Sequence, residues 1–305
     1  MKKISLLLLA ISFAVISFGQ TVNVHNGDTI NRTDAKNMKQ GYWEETNNGL
    51  ILKGNYLNDK KDGAWVTYSA KGTITKIESY KDGKKEGVVI TIDENGYYRG
   101  EANYHNDLLD GVSRTYAVGA RLMSETYYKN GMPYGLKKTF YENTNKLQEE
   151  TNYVNGLRNG VTKWYDSNGK LVAEYVYKNG KFEGVNKTYS TNGVLITEET
   201  FQNNLQNGAY KEYYDVVPPV NEEASVTKDT GKNPAGVKEN RSMASESKGA
   251  KENKADTKSS TEPQTPKIKI SGNYVNGKKE GKWYEYDETG KIVKTTIFKD
   301  GVEKK

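Results

Sequence analysis

The feature that most constrains this chain is a repeat of 24 residues. Nine segments end in an aromatic residue, one variable residue and then Asn or Asp. Their aromatics are Tyr56, Tyr80, Tyr104, Tyr128, Tyr153, Tyr177, Phe201, Tyr274 and Phe298. The steps between them are 24, 24, 24, 25, 24, 24, 73 and 24 residues. Glycines keep the same beat at Gly63, Gly87, Gly111, Gly135, Gly160, Gly184, Gly208 and Gly281, with Gly41 opening an irregular first unit. Five residues beyond each of those eight stands Tyr68, Ile92, Tyr116, Phe140, Tyr165, Tyr189, Tyr213 or Tyr286. Three series with one period mark a repeat architecture, in which each unit buries its apolar surface against its neighbours.

Each unit reads as a β-hairpin. Between Gly160 and Gly180 the runs VTKWY and KLVAEYVY flank Asn168-Gly169, and Asn179-Gly180 closes the unit. Runs rich in Thr, Tyr and Val suit strands, and Asn-Gly suits the type I′ turn, whose two central residues need positive φ. Fifteen of the 30 glycines follow Asn or Asp, so the glycine excess is turn chemistry and not a phosphate loop. Helical periodicity is absent after residue 19. The expected fold is all-β: an elongated antiparallel meander of about eight or nine stacked hairpins.

The rest of the chain divides around this array. Lys2 and Lys3 precede the apolar run Ile4 to Phe18, which ends in small residues, so residues 1–19 read as a secretory signal peptide. A single membrane anchor is the competing reading, although the run is short for a span of ~20 residues. Removing it lowers the charge from +6 to +4, by two lysines, too mild an excess for a nucleic-acid binder. No later segment approaches transmembrane length. The mature chain is expected to be exported, to the periplasm or beyond the cell. Residues 20–40 form a polar lead-in, 41–215 the main array, and 268–305 the final repeats and tail. Residues 216–267 hold five of the six prolines and no aromatic, and are expected to be disordered, as a tethered loop or a linker between two domains.

The pattern from Tyr274 through Asn276, Gly277, Gly281, Trp283, Tyr286 and Gly290 to Lys291 resembles a MORN-variant repeat, and Tyr177 to Gly193 matches nearly as well. The similarity covers about residues 41–215 and 268–301. Asp59, Asp107 and Asn204 depart from it at the closing-turn glycine, and Asn145 at the mid-hairpin glycine. Bacterial proteins of this variant class are often labelled antitoxin-like components. The wider group implies a scaffold, a protein-binding module or a membrane-proximal lipid-associated module.

Catalysis finds little support. The chain has no cysteine, which excludes thiol nucleophiles, iron–sulfur clusters and thiolate zinc sites, and only two histidines, His25 and His105. His105 fills the variable turn slot that elsewhere holds Lys, and reads as an exposed turn residue. Nearly every prominent acid recurs at repeat spacing, whereas a catalytic pair should break the repeat. No cofactor or metal is expected. A binding candidate is the cation row three residues past the anchor glycine: Arg114, Lys138, Lys163, Lys187 and Lys211, sharing strand parity with Tyr116, Tyr165 and Tyr189. Such a row could hold an anionic lipid or a cell-wall polymer. The structural alternative is that Glu101, Glu125, Glu150, Glu174 and Glu198, three before each closing aromatic, offset the row: a two-residue Asn168-Gly169 turn sets Lys163 opposite Glu174, and the same offset of eleven links Arg114 to Glu125 and Lys187 to Glu198. Trp43, Trp65, Trp164 and Trp283 admit a carbohydrate platform or, alternatively, packing and capping of a thin sheet. The leading expectation is an exported, non-catalytic scaffold that binds a protein partner.

Overall fold

The computed structural model describes residues 23–25, 28–216 and 265–305. The expected signal peptide and residues 217–264, nearly all of the insertion, lie outside them. Among the described residues there is no helix. Nine consecutive hairpins run from Lys39–Asn47 with Leu50–Leu57 to Lys278–Tyr286 with Ile292–Lys299, and Val302–Lys304 adds a final short strand. Consecutive strands pair antiparallel throughout. No ladder joins the first short strand, Arg32–Thr33, to Val302–Lys304, so among the described residues the sheet is open and not a barrel. The lead-in carries its own two-stranded ribbon, Asn23–His25 with Asp28–Ile30. The strands flanking the insertion pair directly, Leu205–Tyr213 with Ile268–Val275, and Tyr214 N–H donates to the Lys267 carbonyl at 2.9 Å.

Turn chemistry explains the beat. At the closing turns both central residues have positive φ, as in Asn155 (49°) and Gly156 (78°), the type I′ geometry. Asp59, Asp107 and Asn204, which replace the turn glycine, adopt the same region at 63°, 69° and 71°. Each compensates with a bond that glycine cannot make: Asp107 Oδ1 accepts the Lys85 N–H at 2.7 Å while its own N–H donates to the Lys85 carbonyl at 3.1 Å. A glycine turn keeps only the second bond, as from Gly83 N–H to the Lys61 carbonyl at 2.9 Å. Successive turns are thus stapled to one another one repeat apart.

Most mid-hairpin turns differ from the type I′ expectation, which Asn48 (50°) and Gly49 (78°) of the first hairpin keep. At Gly72, Gly96, Gly169, Gly193 and Gly290 only the glycine is left-handed, for example Gly169 (85°) and Gly290 (88°), while Asn168 is not. The cause is the residue three before it. Asp166 Oδ1 accepts the N–H of Asn168 at 2.9 Å and of Lys170 at 2.8 Å, which favours a three-residue loop ending in a left-handed glycine. That loop alone would set Lys163 opposite Ala173. A register shift between Trp164 and Tyr165 restores Lys163 opposite Glu174.

The anchor glycines have a different task. Each lies opposite the closing aromatic of its own hairpin, as Gly160 opposite Tyr177 and Gly208 opposite Tyr274. Toward the preceding unit, each sits in a bulge. Tyr153 pairs with Arg158 but Glu150 with Lys163, so three residues of one strand are matched by five of the next. The bulge requires positive φ: 94° at Gly160, 117° at Gly184 and 130° at Gly208. A Cβ on Gly208 would also stand 2.9 Å from Thr200. Gly208→Ala should therefore lower stability by about 1–3 kcal/mol in chemical denaturation. Gly156→Asn should cost far less, because Asn204 already holds that turn position in another unit; equal losses would contradict this division of labour.

Candidate binding face

The two faces of the sheet have different chemistry. On the first, the hairpins and bulges together align the sequence-predicted charge rows into one ladder. Register pairs run Glu101–Arg114–Glu125–Lys138–Glu150 and then Lys163–Glu174–Lys187–Glu198–Lys211, each residue directly opposite the next on the adjacent strand. The sequence located three of the pairs inside hairpins, Arg114–Glu125, Lys163–Glu174 and Lys187–Glu198. The pairs between hairpins depend on the bulge. Arg114 is the tightest member, 2.9 Å from Glu101 and 2.7 Å from Glu125. These bonds hold its guanidinium still further above its ordinary value. The lysines are looser: Lys187 is 3.4 Å from Glu198, while Lys163–Glu150 and Lys211–Glu198 are both 3.9 Å. Lys138 lies in register between Glu125 and Glu150 but forms no salt bridge among the described residues.

The predicted aromatics join this face. Tyr165 donates its hydroxyl to Glu150 at 3.1 Å, Tyr189 to Glu174 at 2.8 Å and Tyr213 to Glu198 at 2.7 Å. Burial and those carboxylates push the phenols of Tyr165 and Tyr189 up to about 12, and Tyr213 higher still. Burial likewise raises Tyr116, which packs on Tyr98 with ring centroids 4.9 Å apart. Beside the ladder runs a half-exposed apolar row that includes Val88, Tyr127, Val161 and Val185.

The second face holds the closing aromatics and most of the buried side chains, among them Trp65, Glu78, Thr151, Thr162, Ala173 and Trp283. Among the described residues no second layer covers it; neighbours on adjacent strands bury one another. Trp65 lies on Gly54, where a Cβ would stand 2.4 Å from the indole, and Trp283 lies on Gly272 in the same way. Thr151 and Thr162 share a hydroxyl hydrogen bond. Two residues before the anchor glycine, cations sit over the closing aromatic of their own unit: Lys61 over Tyr80 at 5.2 Å, Arg158 over Tyr177 at 5.3 Å and Lys279 over Phe298 at 5.1 Å. Lys39 and Lys85 repeat the contact with Tyr56 and Tyr104. The recurrence is visible in the sequence as Lys39, Lys61, Lys85, Arg158 and Lys279, each two residues before its glycine. Burial pushes the Glu78 carboxyl up, and Lys76 at 2.8 Å and Lys85 at 3.1 Å more than offset this, leaving it below the ordinary range.

At the turn edge, His105 is exposed; its Nδ1 lies 3.0 Å from Glu86 Oε1 and its Nε2 2.9 Å from the Asn106 amide nitrogen. No group of three or more His, Asp or Glu suited to a metal occurs among the described residues.

Two outcomes follow for the ladder. Arg114→Gln should cost about 0.5–2 kcal/mol through two cross-strand pairs, and Lys138→Gln less than about 0.5 kcal/mol, the gap narrowing at high salt. Chemical denaturation at two ionic strengths measures both. An isolated tyrosine ionises near pH ~10. Because folding raises the Tyr165 and Tyr189 values to about 12, their stabilisation is complete below pH ~10 and is lost as pH rises through 12. Tyrosinate absorbance should show a late-titrating group of phenols that shrinks in a Glu150→Gln, Glu174→Gln variant; a single transition near pH ~10 would contradict the geometry.

The comparisons with known proteins agree with this architecture. A family model described as MORN repeat variant matches residues 158–179, 182–203 and 279–300. Each match opens two residues before an anchor glycine and ends on the first residue of a closing turn, so it coincides with one structural unit. No curated protein matches the chain. The chain thus carries three matched MORN-variant repeats, and its six other hairpins repeat their anchor glycine and closing turn in the same register.

Proposed function

We propose that this protein is an exported, non-catalytic repeat scaffold that binds a protein partner along its charge face. The observation that carries the reading is the unbroken alternation from Glu101 to Lys211, flanked by the half-exposed Val88, Tyr127, Val161 and Val185. Ten strands at ~4.8 Å spacing give a strip about 43 Å long, long enough for a standard interface of roughly 800 Å² per partner. Its charges alternate at fixed spacing, which selects a partner by register, while the apolar row supplies area to bury. Export is supported by the run Ile4 to Phe18 behind Lys2 and Lys3.

Binding of an anionic lipid or cell-wall polymer to the same row is the weaker reading. Every cation of the row except Lys211 stands between two carboxylates, and five cations against five anions leave the row neutral. Its field decays within a Debye length of about 10 Å.

The test is photo-crosslinking in envelope fractions with a crosslinker placed at Val161 or Val185, in the full chain and in one lacking residues 217–264. A discrete protein adduct that survives deletion of the insertion and is lost on Val185→Glu is expected. An adduct that disappears when residues 217–264 are deleted, or binding to anionic vesicles that disappears at high salt, would contradict the proposal.

A further inference from the structure

A hollow lies on the second face at the Gly184 unit. Two residues past the anchor glycine, four units carry an aromatic side chain, Trp43, Trp65, Tyr210 and Trp283, and Trp65 and Trp283 are buried. In the Gly184 unit that position is Asn186, and the space stays open between Tyr175, Phe182 and Phe201. The rings are held against one another, with centroids 5.5 Å apart for Tyr175–Phe182 and 5.3 Å for Phe182–Phe201.

Asn186 is only 4% exposed, and its bond to the fold uses the amide oxygen. Its Oδ1 accepts the Val176 N–H at 2.8 Å, which fixes the amide and leaves its two Nδ2 donors for the hollow it lines. Beside it, the Thr188 and Thr197 hydroxyls share one hydrogen bond of 2.6 Å, so one hydroxyl hydrogen and several lone pairs remain. Glu199 supplies a carboxylate, held at one oxygen by Gln206 at 3.2 Å. Among the described residues it is the only charged group lining the hollow.

We infer that this hollow is a binding site for a neutral oligosaccharide. An apolar platform with a few fixed polar groups is the general form of a small-ligand site. A pyranose presents an apolar C–H face to the rings and a rim of hydroxyls that both donate and accept, matching the Asn186 donors, the threonine pair and the Glu199 acceptor. An anionic ligand would meet Glu199 with no cation to offset it. A purely apolar ligand would leave the buried Asn186 donors unpaired. This site lies on the opposite face from the proposed protein interface and does not depend on it.

The experiment is titration calorimetry of the full chain with cellotetraose, chitotetraose, an oligogalacturonate and a blocked neutral tetrapeptide. Saturable binding of cellotetraose or chitotetraose is expected, without binding of the other two. Asn186→Asp keeps the bond to Val176 and removes the donors, and should weaken sugar binding by about tenfold or more. Asn186→Tyr imitates the Tyr210 unit and should abolish binding while the thermal unfolding midpoint of the chain is retained. Absence of binding by both neutral sugars overturns the proposal. So does equal affinity in the variants, or binding of the oligogalacturonate or the peptide in their place.

Discussion

The register set at the anchor glycine is the constraint on which the rest of this structure depends. A meander of hairpins fixes pairing within each hairpin through its turn, but pairing between hairpins must be set again at every repeat. Here the closing type I′ turn starts each new strand, and the two-residue bulge at Gly63, Gly87, Gly111, Gly135, Gly160, Gly184, Gly208 or Gly281 then advances it. Only a residue at ease with φ from 69° to 130° can occupy that point. The closing aromatic of the same hairpin stands directly opposite that glycine, so glycine and aromatic recur together.

Both faces follow from that advance. Moved two residues forward, each cation of the row except Lys211 meets a glutamate on either side, so charges that would repel within a row alternate along a ladder. On the opposite face the same advance carries the cation two before the glycine over the aromatic that closes its unit, and stacks Thr151 on Thr162. A single-layer sheet has no second layer to bury its surface. It is stabilised instead by neighbour-to-neighbour contacts repeated at each unit, as expected of a quasi-one-dimensional repeat array.

Much of this was legible in the sequence, because turns are encoded by a few residue types with narrow conformational preferences. Asn-Gly and Asp-Gly gave the hairpins, the period gave their number, and the offset of eleven gave Lys163 opposite Glu174. The pairing of Glu150 with Lys163 was not legible, because it depends on how many residues a bulge absorbs. The offset itself survived for a different reason than the turn suggested: Asp166 builds a three-residue loop, and a second shift near Tyr165 compensates. The occupied state of Asp59, Asp107 and Asn204 shows why departures from the glycine consensus fold equally well, since a side-chain acceptor replaces conformational ease with a hydrogen bond. Trp65 on Gly54 and the open space at Asn186 arise from cross-strand neighbours, and only the paired register reveals them.

Because the chain contains no cysteine, the inter-unit register can be measured directly with a single introduced cystine. Glu150 and Lys163 are direct cross-strand partners, whereas without the bulge Glu150 would oppose Val161. Directly opposed Cβ atoms lie about 4.5–5.5 Å apart, and diagonal neighbours are separated by roughly 7–8 Å. Oxidation of the Glu150→Cys, Lys163→Cys chain should therefore be fast and complete, and that of Glu150→Cys, Val161→Cys slow and partial. The reverse order would show that the bulge does not advance the strand, and the charge ladder would not exist.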